Sequence, residues 1–328
     1  MSRRALTVLA TAAGLALLAW QVEKIGVDHI LDGVRDMGAA GLALILLVSL
    51  ARQMARAAAW ILLMDDGAGH RPPLGAALAA TMSGDAIGNL TPLSLLVSEP
   101  AKALYVRAHV PPERALAALA AENFFYSLSV AVTVLAGVAV LFLAYPVPDW
   151  LRTASLVLVA LMAAVLIAAL WLIAKEPALV SATLTRVFGL AGATAPAHLV
   201  EKIRTLETSS YAFVRARPGR LMSVIACEAS FHVLSVAETW ITLAFLGHRS
   251  LALAFVLDTV QRVINVVFRV VPLKIGVDEV GSGLTSAALG YGGALGVTMG
   301  VIRKIRVLVW AAVGLALLGR RAGTDSRT

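Results

Sequence analysis

Charge is scarce in this chain. Only 15% of its 328 residues are charged, against roughly 25% in an average soluble domain. The shortage excludes a soluble globular enzyme, a disordered chain and a nucleic-acid-binding domain as the main identity. Cysteine is nearly absent: Cys227 stands alone, so no intramolecular disulfide framework is possible. No polar segment is long enough to form a separate soluble domain. Enzyme signatures are poor as well. No glycine-rich phosphate loop followed by Lys-Ser or Lys-Thr occurs, so direct ATP drive is not expected. Glu228 and His232 share a helical face, yet no HExxH zinc motif occurs. Even with Glu238 as a third ligand, they read better as a hydrogen-bonded packing pair. Gly281-Ser282-Gly283 has no clear base partner for a serine nucleophile. Neither catalysis nor a cofactor or metal is expected.

What is present is apolar. Hydrophobic residues make up 59% of the chain and the mean hydropathy is +0.83. They come in runs of the length a bilayer demands, about 20 residues each. The formal net charge of +8 then points to basic cytoplasmic loops. Arg3 and Arg4 precede an apolar run over 5–20 with no small-x-small cleavage site after it. It reads as a first transmembrane helix rather than a signal peptide. A short amphipathic stretch follows over 23–37. Further spans are expected over 41–64, 112–144, 150–174, 221–246 and 292–318. The expected fold is therefore an all-α polytopic membrane protein, a single integral membrane domain over 1–328.

Two regions break the pattern of simple spans. The stretch 74–107 carries Asp85, Asn89, Pro92, Glu99 and Pro100 in its middle. The stretch 251–291 carries Asp258, Arg262, Asn265, Arg269, Pro272, Lys274, Asp278 and Glu279. Irregular backbone at membrane depth is tolerated only where protein buries it or a watery cavity wets it. Each region is therefore expected to be a re-entrant helical hairpin, beside about six full spans. With that count both termini and the basic stretch 175–220 face the cytoplasm, and His70 and Gly290 lie on opposite sides. If both regions crossed fully, the basic stretch would lie outside, against the N-terminal arginines.

Hairpins entering from opposite faces imply an inverted repeat. Trp60, Pro92 and Glu99 recur as Trp240, Pro272 and Glu279, each 180 residues later. Repeat 1 is expected over about 41–144 and repeat 2 over about 221–318. Between them, Leu199, Ile203, Leu206 and Phe213 form a stripe over 197–214, read as an interfacial helix on the cytoplasmic leaflet or a solvated connector.

Ionisable residues inside a bilayer are costly and mark function by default. Here they concentrate, and a polar cleft between the repeats accommodates them. The repeated Pro-x6-Glu element breaks a helix and exposes helix ends, which hold anions. Arg52 and Arg56 lie four apart and share a helical face with reach to one anion. The candidate substrate-binding residues are Arg52, Arg56, Asn89, Pro92, Glu99, Glu122, Pro272, Glu279 and Arg303. Near span ends, Lys102, Glu238 and Arg249 have the option of snorkelling to the interface. A purely structural salt-bridge network is the competing account.

The residues also carry a resemblance. Arg56 to Trp60 with the following Ile61-Leu62-Leu63, the tip Asn89-Leu90-Thr91-Pro92, Glu99, Glu122, and the run from Pro272 through Lys274 and Gly276 to Glu279 stand in a characteristic order. By these motifs the chain resembles the transmembrane region of lysylphosphatidylglycerol synthases, over nearly its whole length. Ser98, Lys102 and Ala59 depart from that family's usual glycine, arginine and arginine. The resemblance implies lipid translocation: flipping of aminoacylated phosphatidylglycerol in fused members, and other lipids in free-standing ones. No transferase domain follows Thr328, so aminoacyl transfer itself is not expected. The expected function is a flippase or transporter of a phospholipid or other anionic lipid in the bacterial inner membrane. The alternative is a non-transporting partner or regulator of a lipid-modifying enzyme. A weaker third is a membrane enzyme using Glu228 and His232. Membrane lipids are the expected partners, and nucleic acid is not.

Overall fold

The computed structural model describes residues 27–64, 71–90, 94–175, 201, 218–267 and 277–324. The expected first span over 5–20, the hairpin tips with Pro92 and Pro272, Arg269, Lys274 and all but one residue of the 197–214 helix lie outside the described residues. What is described is helical, with no strand among the described residues. In hydrocarbon a helix satisfies every interior backbone donor and acceptor within one segment.

The helices are α1 (Val27–Met64), α2 (Leu74–Leu90), α3 (Ser94–Tyr105), α4 (Pro112–Ala144), α5 (Asp149–Lys175), α6 (Pro218–Phe245), α7 (Leu251–Val267), α8 (Val277–Ala288) and α9 (Gly293–Thr324). Gly38 interrupts α1 with φ 66°, a left-handed conformation that glycine adopts without a Cβ penalty. The amphipathic stretch and the first described span therefore meet at a kink. Pro112 opens α4, where its missing N–H would have had no helical partner.

Four stretches are long and apolar enough to cross a bilayer: Met37–Met64, Pro112–Ala144, Asp149–Trp171 and Gly219–Phe245. They coincide with four of the expected spans. The expected span over 292–318 lies in α9, which has the length at 32 residues but not the purity. Arg303, Lys304 and Arg306 crowd its middle, and all three turn toward protein.

The packing brings together helices far apart in the chain. α1 lies against α6 at the centre, α2 against α9, and α7 against α4. Helices α2 and α7 have 17 residues each, and α3 and α8 have 12 each. Two glycines let helices touch at the outer crossings. A Cβ on Gly137 of α4 would stand 1.8 Å from Thr259 Oγ1 of α7. A Cβ on Gly314 of α9 would stand 2.2 Å from the carbonyl oxygen of Met82 in α2. At that second crossing Ser83 Oγ donates to Gly314 O at 3.1 Å.

Apolar clusters close the two ends. One gathers Trp60 and Met64 of α1, Ala77 of α2, Ala103 of α3 with Val106 just after it, and Ala115 and Leu119 of α4. Trp60 is sealed there, with its indole N–H donating to Ala115 O at 3.1 Å. The other cluster gathers Leu243, Leu253, Leu257 and Met299, with Tyr145, Leu246, Leu289 and Tyr291 packed against it. So the start of α2 and the end of α3 share one cluster, and the start of α7 and the end of α8 share the other.

Candidate functional site

A cavity of about 680 Å³ opens chiefly among α1, α2, α3, α4, α7 and α9, with single or paired residues from α5, α6 and α8 completing its lining. Helical periodicity builds its walls. Ser49, Arg52, Gln53 and Arg56 come from one stripe of α1, at the spacing that puts residues on one face. Arg303, Arg306, Val307 and Trp310 form the facing stripe of α9. Trp310 Nε1 donates to Ser49 Oγ at 3.1 Å, joining the two stripes.

The lining is rich in cations. Arg52, Arg56 and Lys102 come from the first half, and Arg262, Arg303, Lys304 and Arg306 from the second. Three carboxylates line it with them: Asp85, Glu99 and Asp278. Four more, Glu122, Glu238, Asp258 and Glu279, are not lining residues; each neutralises a cation that is.

Each pairing joins particular elements. Arg56 grips Glu122 with a two-point fork, Nε to Oε1 at 2.7 Å and Nη2 to Oε2 at 2.9 Å. Such forks fix geometry as well as charge. Glu238 of α6 is shared: it accepts from Arg52 at 2.7 Å and from Arg306 of α9. Lys102 is 2.8 Å from Asp85 and 3.2 Å from Glu99. Lys304 is 2.7 Å from Glu279. Arg262 pairs with Asp258 one turn earlier at 2.6 Å, and Ser235 Oγ donates to the same carboxylate at 2.6 Å. Arg303 is different: its Nη1 donates to Gln261 Oε1 at 2.8 Å and Ser282 Oγ at 2.9 Å, both neutral acceptors.

Aromatic faces complete the wall. The Arg52 guanidinium lies 4.6 Å from the Phe231 ring centre, and that of Arg56 lies 4.6 Å from the Tyr126 ring centre. A cation over a π face is held without a counter-ion. Some hydrogen-bonding capacity is left unused. Arg52 Nε, Arg303 Nη2, Glu99 Oε2 and Asp278 Oδ1 are buried and have no hydrogen-bond partner among the described residues. The lining thus offers spare donors and spare acceptors.

A model of the family described as the lysylphosphatidylglycerol synthase TM region matches residues 7–315. The chain belongs to this family. No curated protein and no solved structure matches it. The matched span takes in every residue of the cavity.

Within this lysylphosphatidylglycerol synthase TM region, five of the residues expected from sequence line the cavity together: Arg52, Arg56, Asn89, Glu99 and Arg303. Glu122 and Glu279 stand one layer out, as partners of Arg56 and Lys304. Pro92 and Pro272 lie outside the described residues. Arg52 and Arg56 share a face as expected, yet they go to different carboxylates on different helices. Lys102 and Glu238 do not snorkel; they are 3% and 5% exposed. Arg249 is exposed. His232 bonds Ser129 of α4 through Nε2 at 2.7 Å. Among the described residues no group of three or more His, Cys, Asp or Glu is arranged to hold a metal ion. Sequence reasoning passed over Lys304, Arg306, Arg262 and Gln261 as site residues. The signal for the three cations was the same charge in an apolar run that marked Arg303. Tyr126 and Phe231 gave no signal at all.

Proposed function

We propose that this protein is a lipid flippase or transporter of the bacterial inner membrane. It moves a phospholipid or other anionic lipid, whose head group passes through the charged cavity while its tails stay in the bilayer. The observation that carries this reading is the convergence of seven cations from both halves of the chain on one cavity among apolar helices. A fixed scaffold has no need of an open, charged interior. A phosphate crossing a low-dielectric barrier needs one, because ionic attraction grows as the dielectric falls. Family membership supports a lipid-related role.

An inverted repeat with two re-entrant hairpins is the architecture this function would use. The equal lengths of α2 and α7 and of α3 and α8 support it. So does the close approach of Gly137 to Thr259 and of Gly314 to Met82, which superpose on a shift of 177 residues. The ends of α3 and α8 are shifted by 183, from Tyr105 to Ala288. These offsets bracket the 180-residue spacing of the sequence matches. At 1.5 Å per residue, α2 and α7 run about 25 Å and α3 and α8 about 18 Å. A hydrocarbon core of about 30 Å is longer than either.

The test is translocation of fluorescent phosphatidylglycerol in reconstituted vesicles, read by quenching from the outside. Wild-type protein should move it faster than protein-free vesicles do. Arg303→Ala, Glu99→Gln and Glu279→Gln should each slow it while the protein stays folded. Equal rates with and without protein would sink the transport reading. Normal transport by all three variants would show that the cavity is not the route.

A further inference from the structure

On the reading that the cavity receives an anionic head group, we infer that Glu228 is a proton-binding site whose protonation admits that anion. Glu228 lies on α6 one turn before Phe231 and His232, just outside the lining residues. It is 2% exposed, and neither carboxyl oxygen has a hydrogen-bond partner among the described residues. Other buried carboxylates around the cavity have a cation within ion-pair distance; this one has none, and the hydroxyl within its reach, that of Ser129, already donates to Tyr126 O and bonds His232. An ionised carboxylate buried without hydrogen bonds is expensive. The geometry fits the carboxylic acid.

The surroundings connect that proton to the cavity. Glu122 and Arg56 lie within electrostatic reach of Glu228. With Glu228 neutral, the Arg56–Glu122 fork is balanced, one charge against one. With Glu228 ionised, two carboxylates share one guanidinium and the cluster becomes net negative. An anion approaching Arg56 then meets repulsion. Linkage is reciprocal: if the proton favours the anion, the anion favours the proton to the same degree. Each head group that binds at intermediate pH therefore draws a proton from solvent onto the Glu228 carboxylate.

Other charged and titratable groups face this cluster. Arg52 and Arg56 come from α1, Glu122 and Tyr126 from α4, and Asp258 and Arg262 from α7. Cys227 and His232 lie on α6 itself. Asp258 is held by Arg262 and Ser235, and Glu122 by the fork. His232 is the rival carrier, with Nε2 bonded to Ser129 and Nδ1 unbonded.

The experiment measures affinity of the purified full-length protein for dioctanoyl phosphatidylglycerol in detergent, between about pH 5 and about pH 9, a range that brackets known buried glutamates. Wild-type affinity should fall roughly tenfold or more as pH rises, as expected for one extra charge nearby. Glu228→Gln should bind as wild type does at low pH and stay nearly flat. Calorimetry on wild type in two buffers of different ionisation heat reads the same linkage without any substitution. Proton uptake approaching one per lipid at intermediate pH supports the site, and equal heats overturn it. A wild-type pH slope retained in Glu228→Gln also overturns it, as does a slope lost only in His232→Gln. Absence of lipid binding at every pH overturns the cavity reading itself, and is told apart from binding that ignores pH.

Discussion

Arg56 is held from two directions at once: forked to Glu122 on α4 and stacked on Tyr126 of the same helix, with Phe231 of α6 5.9 Å away. Glu122 is 2% exposed, so its charge depends on that guanidinium. Removing one member of a buried pair leaves an uncompensated charge and destabilises by about 3–5 kcal/mol. Arg56→Ala should therefore lower the thermal stability in detergent strongly. Arg56→Met combined with Glu122→Leu should recover most of the loss, because both desolvation terms disappear together. Arg56→Lys should fall between, keeping charge and losing the fork. All three should transport poorly. A double variant no more stable than Arg56→Ala would show that the pair's charge is not what Glu122 needs. At this scale the sequence was partly legible. Arg52, Arg56, Glu122 and Arg303 are conspicuous because a charge in an apolar run has few structural uses. Their partners were not legible. Arg52 and Glu238 are 186 positions apart, and only the packing of α1 on α6 makes them neighbours.

Between helices, the decisive contacts are made where side chains are missing. Gly137 and Gly314 let α4 meet α7 and α9 meet α2, two crossings that, with α1 on α6, join one half of the chain to the other. The two are not alike in detail. Gly314 faces the backbone of α2, with the Met82 carbonyl oxygen at 2.2 Å from a Cβ. Gly137 faces the side chain of Thr259, with Oγ1 at 1.8 Å and Cγ2 at 2.9 Å. Overpacking of this kind destabilises by about 1–3 kcal/mol. Gly314→Ala should do so with no relief from any change at Met82, since a carbonyl cannot be trimmed. Gly137→Ala should do so and be partly relieved by Thr259→Ala, although the Thr259 Cβ at 2.7 Å remains. Melting curves of the single and paired variants decide it, and full tolerance of Gly314→Ala would mean that α2 and α9 do not cross there. Glycine in an apolar run is ordinary in membrane helices, so nothing in the sequence marked these two. The elements themselves were easier to see. Long apolar runs marked α4, α5 and α6, and the cluster of prolines, asparagine and acids around residues 85–100 marked a break between α2 and α3. The expected span within α9 fails only in composition, because the charges that disqualify it are the ones that line the cavity.

For the whole molecule, the two end clusters make topology a sharp question. At one end Trp60, Ala77, Val106 and Ala115 pack together, where α1 and α3 finish and α2 and α4 begin. At the other, Tyr145 bonds Ser250 at 3.3 Å and packs edge-on against Tyr291, which in turn meets His248. That second group joins the end of α4, the α6–α7 turn and the α8–α9 turn. If α2 with α3 dips in from the first end and α7 with α8 from the second, each pair returns to the face it left. The basic stretch 175–220, with Lys175, Arg186, Lys202, Arg204, Arg215, Arg217 and Arg220, then lies in the cytoplasm with both termini, as the positive-inside rule favours. Single cysteines in a Cys227→Ser background read this directly with a membrane-impermeant maleimide on intact cells. Arg71→Cys and Arg107→Cys should be protected until the cells are opened, whereas Arg249→Cys and Ala287→Cys should label from outside; all four native positions are exposed. Labelling of Arg71→Cys and Arg107→Cys from opposite faces would mean that the first broken region crosses the bilayer. The same split between Arg249→Cys and Ala287→Cys would mean that the second one does, and either result would remove the inverted arrangement on which alternating access through this cavity depends.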